Sequence, residues 1–151
     1  CLLSRGLGDV YKRQALDRYA SRRSDTACDA LNEPTSRRAI EMLLLGFAGV
    51  GAEDDKPKGC LMVQGALVCS EASETIRREL CDRRAESEAA LCRRMQEWKA
   101  AGDLPDSADP EDLARYVMTV ANGIAVQAAS GASKEDLRQV VEMTMRTWPP
   151  A

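Results

Sequence analysis

The sequence predicts an all-α domain of five or six helices, and three observations carry that prediction. Apolar residues recur at helical spacing along most of the chain. Turn-forming residues at Asn32-Glu33-Pro34, at 49–59, at 102–110, at Gly131 and at Pro149-Pro150 cut it into pieces of helix length. Between those turns no short run is rich in Val, Ile, Thr and aromatics, so strands have little support. The 151 residues fit one domain, with no internal repeat and no low-complexity tract.

The first helical segment, about 14–31, sets Leu16, Tyr19, Ala20, Ala27 and Leu31 on an approximate stripe. The second opens after Pro34, with Thr35 or Ser36 as N-cap. Its inward set is Ile40, Leu43, Leu44 and Phe47, but Met42 and Leu45 lie opposite, so this helix is apolar nearly all round and should be buried between others. Residues 60–69 fit a short helix or a strand by pattern. A long helix follows, capped at Ser70 or Ser73 and closed by Gly102. The next begins with Asp109 as N-cap and Pro110 in the first turn, and ends at Gly131. Ser133 caps the last helix, with Asp136 completing a box-like start, and Pro149-Pro150 stops it near Trp148.

The last two helices lack an ordinary charged side. In 110–130, Leu113, Tyr116, Val117, Val120, Ile124 and Ala128 form one apolar face, while Met118, Thr119, Asn122, Gly123, Val126, Ala129 and Ser130 make the other side small or apolar. In the last helix Leu137, Val140, Val141, Met145 and Trp148 point inward, and Met143 and Thr147 lie elsewhere. A helix with two uncharged faces is buried on both, and at a chain end the second cover is a partner subunit or another helix of the same chain. Met118, Asn122, Gly123, Val126, Ser130, Met143 and Thr147 are the candidate dimerisation residues.

On the long helix Ile76, Leu80, Leu91, Met95 and Trp98 share a face, and Arg77, Arg84 and Glu88 project into the same arc. Arg84 and Glu88 are either an intrahelical ion pair at the edge of the stripe or a polar anchor inside an apolar ligand pocket. Inward-pointing Leu44, Phe47, Met62, Arg84, Glu88, Tyr116 and Val120 are the candidate ligand-binding residues.

Composition removes several function classes. There is no histidine, which excludes Ser-His-Asp and Cys-His nucleophilic machinery, histidine-held haem and nearly every His-bearing zinc site. The net charge of −3 argues against an electrostatic nucleic-acid binder, and the five Arg-Arg pairs sit among matching acidic residues. Six cysteines form no CxxC pair and read as reduced, small apolar groups of a cytoplasmic protein. No stretch is long and apolar enough to span a membrane. There is no phosphate loop and no metal-ligand spacing, so no catalytic residue, metal or cofactor is expected and the chain is not read as an enzyme.

Residues Ala15-Leu16-Asp17-Arg18-Tyr19-Ala20, and Pro34 followed by Arg38-Ala39-Ile40-Glu41-Met42-Leu43-Leu44, resemble the first two helices of a TetR/AcrR-type effector domain. Gly59 to Val63, Ala101-Gly102-Asp103-Leu104-Pro105, Leu113-Ala114-Arg115, Gly123 to Ala128 and the closing Leu137 to Pro149 are similar to later parts of the same family. The resemblance covers about residues 15–149. It implies a homodimeric transcriptional regulator, usually a repressor, whose last two helices build a dimeric four-helix bundle. It also implies a small hydrophobic or weakly polar effector, and operator DNA bound only through an N-terminal helix-turn-helix. Residues 1–14 resemble translated sequencing-adapter read-through and are expected to be a non-native or disordered tail standing where that unit would be. The alternative reading is a helical protein-interaction module with no small-molecule ligand.

Overall fold

The computed structural model describes residues 14, 16–19, 29–49, 60–63 and 74–149. Its long elements are α1 (Ser36–Phe47), α2 (Glu74–Ala100), α3 (Pro110–Ala129) and α4 (Lys134–Arg146). Shorter helical stretches occur at 16–19, 29–31 and 61–63, and no strand is present among the described residues. Ser70, Ser73, Ala20, Ala27 and Cys69 lie outside the described residues.

The helix ends follow local chemistry. Thr35 caps α1, its hydroxyl accepting from the Arg38 amide. Asp109 caps α3 by accepting from the Glu111 and Asp112 amides at 2.8 and 3.1 Å, and these bonds, that from Asp112 first, hold its carboxyl below the usual range. Ser133 and Asp136 form a reciprocal capping box on α4. Gly102 and Gly131, at φ of 80° and 98°, close α2 and α3 in the left-handed region that glycine tolerates. The last helix stops at Arg146, two residues short of Trp148, which is buried against the core instead.

Ser36, the other candidate cap, turns inward. Its amide donates to Asp103 at 2.7 Å, and its hydroxyl accepts from the Trp148 indole at 3.2 Å. Arg37 donates to the Trp148 carbonyl at 2.9 Å. These bonds pin the start of α1 to both the α2–α3 turn and the chain beyond α4.

α1 packs on α3 and α4, α2 packs on α3, and α3 packs on α4. One large core joins Ile40, Leu43 and Leu44 of α1 with Leu91, Met95 and Trp98 of α2 and the inner faces of α3 and α4. Met42 and Leu45 are half-buried against it, as expected of a helix apolar nearly all round. A small second cluster joins Leu16 to Ile76 and Leu80, and a third joins Cys60 and Val63 to Ala125. No described helix is long and apolar enough to cross a membrane.

Candidate functional site

The buried residues of α2 are Ile76, Leu80, Leu91, Met95 and Trp98, the five that its sequence periodicity places on one face. Their spacing of four, then three or four, should continue through positions 84 and 87. Those two positions hold Arg84 and Ser87, and none of residues 81–90 is buried. For about 16 Å along the axis, α2 therefore contributes no buried side chain. The gap separates the large core from the Leu16–Ile76–Leu80 cluster.

The predicted ligand residues lie as follows. Met62 packs against Leu16, Ile76 and Leu80, and also against Cys60, Val63 and Ala125. Phe47 is half-buried on the Cys60 cluster and on the large core. Arg84 is half-buried one turn beyond Leu80. Glu88 Oε1 lies 4.0 Å from Arg115 Nε of α3, so its ionic neighbour comes from across the helix pair. Val120 is half-buried at the edge of the large core, whereas Leu44 is fully enclosed within that core.

The side of the gap nearest the chain start is fastened by polar contacts. Arg83 pairs with Asp17 and with Glu79, which lies 2.6 Å away, and the Glu79 bond foremost holds its guanidinium above the usual arginine range. The Leu61 amide donates to the Tyr19 hydroxyl at 3.1 Å. At the other end Arg94 donates to the carbonyls of Leu31 and Glu33 at 2.8 and 3.0 Å and lies 4.7 Å over the Trp98 ring.

The second surface of interest is the outer side of α3 and α4. Tyr116, Thr119, Gly123, Val126 and Ser130 follow one another at helical spacing, and all are exposed. Val140, Met143 and Thr147 repeat this pattern on α4. Tyr116, Val126, Val140 and Met143 are 40%, 38%, 45% and 63% exposed. A side chain at Gly123 would meet nothing within 4 Å. Asn122 is half-buried beside this stripe.

Two residues stand on opposite sides of α3 from those expected. Met118 is 9% exposed and belongs to the large core, while Tyr116 stands on the outward stripe. Val140, expected inward, is likewise exposed. The cause is rotational: α3 buries Leu113, Ala114, Val117, Met118, Ala121, Ile124, Ala125 and Ala128, an arc centred near Ala121 and turned away from Tyr116. Ser87, which follows Arg84 in the stripe, is exposed, its hydroxyl donating to the Arg83 carbonyl at 2.9 Å. Sequence reasoning missed Arg115 as the neighbour of Glu88, which only the packing reveals.

An open groove of about 400 Å³ lies between α1 and α4 over Leu45, Val141 and Met145, and contains none of the predicted ligand residues.

Among the described residues the domain is all-helical, with its longest helix interrupted between Leu80 and Leu91 and an uncharged outer stripe on its last two helices. The chain belongs to the TetR family of transcriptional regulators. It is similar to the solved structure of the TetR family regulator CifR in a cysteine-substituted form complexed with 26-base-pair operator DNA. That match has a TM-score of 0.83 and 36% identity and covers 91% of this chain and 72% of that one. A TetR transcriptional regulator from Rhodococcus sp. RHA1 matches with a TM-score of 0.72 and 32% identity over 92% of this chain and 74% of that one. Among curated proteins it is 29% identical over 142 residues to the HTH-type transcriptional repressor ComR of Escherichia coli (strain K12), covering 91% of this chain. The chain spans 66% of the length of that relative. No family model matches the sequence.

Proposed function

We propose that residues 15–149 form the effector-binding and dimerisation domain of a TetR-family repressor that leaves its operator when a small molecule binds. Operator recognition is assigned to a helix-turn-helix unit outside these residues. The observation that carries the reading is the uncharged outer stripe of α3 and α4, with Val126, Val140 and Met143 left open to solvent in the single chain. Such a face on two neighbouring helices is self-complementary under a twofold axis and builds a four-helix bundle with a second copy. Tyr116, Gly123, Val126, Ser130, Met143 and Thr147 lie in that contact. The interruption of α2 at Arg84, beside Met62, is the effector site.

Sedimentation equilibrium at micromolar concentration tests the assignment. The wild-type chain should sediment as a dimer, and Val126→Glu should sediment as a folded monomer, because each interface would then hold two unpaired carboxylates. A monomeric wild type would refute it.

A further inference from the structure

Three arginines of α2 are half-buried: Arg83, Arg84 and Arg94. Arg83 is bonded to Asp17 and Glu79, and Arg94 to Glu97 and to the Leu31 and Glu33 carbonyls. Arg84 has no hydrogen bond or ion pair among the described residues. Its place explains why this matters. Arg84 stands one turn after Leu80 in the stripe and is half-buried there. Glu88, one turn further along α2, lies 4.0 Å from Arg115, which is itself paired with Glu111 and Asp112. A half-buried guanidinium with no acceptor among the described residues is able to take an anion, and its planar fork suits a carboxylate or sulfonate.

The surroundings set the rest of the ligand. Leu80 and Met62 lie on one side of Arg84, and Leu91 begins the large core two turns further on. An occupant would therefore meet apolar side chains on either side of Arg84 while presenting it one negative group. We propose that the effector is an amphipathic organic anion, with an apolar body against Met62 and Leu80 and an anionic end paired with Arg84. This rests on the effector-site reading above and names the chemistry of that same site.

A matched pair of fluorescent probes separates the two claims: anilinonaphthalene sulfonate, an apolar anion, and N-phenylnaphthylamine, its uncharged counterpart. Both should bind the wild-type chain. Arg84→Gln should weaken the sulfonate about tenfold or more, the loss expected for one charge-assisted pair, and leave the neutral probe unchanged. Arg84→Lys should recover part of the sulfonate affinity, and circular dichroism should give both variants the wild-type melting curve. Arg78→Gln, an exposed arginine of the same helix, should leave both probes unchanged. If Arg84→Gln leaves the sulfonate affinity intact while the neutral probe binds, the anion assignment fails and the effector site stands. Equal weakening by Arg78→Gln also overturns the assignment, because it would reduce the effect to general surface charge. If neither probe binds the wild type, the effector-site reading fails and the anion assignment with it.

Discussion

Met143→Ala offers the cleanest quantitative test of the outer face, because Met143 is the most exposed large apolar residue described and removes almost nothing from the core of the single chain. Full burial of a methionine side chain is worth about 1.5–3 kcal/mol. With 63% of the residue still open, its burial by a second copy contributes about 1–2 kcal/mol. A twofold axis counts the residue twice, so truncation should cost the dimer about 2–4 kcal/mol. At about 1.4 kcal/mol per tenfold, the dissociation constant should rise by about 30- to 1,000-fold. Sedimentation equilibrium over a dilution series measures that constant, and Gln96→Ala on the exposed side of α2 should leave it unchanged. The reasoning is refuted if Met143→Ala moves the constant by less than about threefold, since burial of an exposed methionine could not then be part of the contact.

Other substitutions test the internal framework. Ser36→Ala removes the acceptor of the buried Trp148 indole N–H and should cost about 1–3 kcal/mol in urea unfolding, more than an exposed serine such as Ser107. Met95→Ala leaves a cavity where α1, α2 and α3 meet and should cost about 2–5 kcal/mol by the same assay. Asp109→Asn keeps a capping side chain but cannot titrate. Because the folded carboxyl lies below its ordinary value, its ionised form adds stability above the unfolded pKa, and that contribution is lost as pH falls through the folded value. The melting temperatures of wild type and Asp109→Asn should therefore differ near neutral pH and converge in acid.

The fold was legible wherever periodicity and end chemistry agreed. The stripe of α2, the Asp109 cap and the Ser133–Asp136 box are local patterns, and local patterns survive without knowledge of the neighbours. The rotation of α3 was not legible. That helix is apolar or small on nearly every side, so its sequence does not decide whether Tyr116 or Met118 faces inward. The buried arc runs through Ala114, Ala121 and Ala125, each fully enclosed, and so takes in Met118 and leaves Tyr116 outside. Contacts to backbone were equally hidden. Arg94 finds the carbonyls of Leu31 and Glu33 more than sixty residues away, and a carbonyl acceptor leaves no trace in residue type. At the interruption of α2 the sequence singled out Arg84 and Glu88, because charged residues inside an apolar stripe stand out in the periodicity.

The interruption of α2 also divides a single continuous helix into two stability regimes. Its C-terminal third is held by Leu91, Met95 and Trp98 in the large core, while its N-terminal part is held by Ile76 and Leu80 against a cluster with one other buried member, Leu16. Opening free energy follows buried apolar contact, so the amides near Ile76 should exchange with solvent through small local openings, and those near Met95 only when the whole domain unfolds. Filling the gap would join the two regimes. A bound effector would thus be felt first as slowed amide exchange over the N-terminal half of α2, before any change in its average shape.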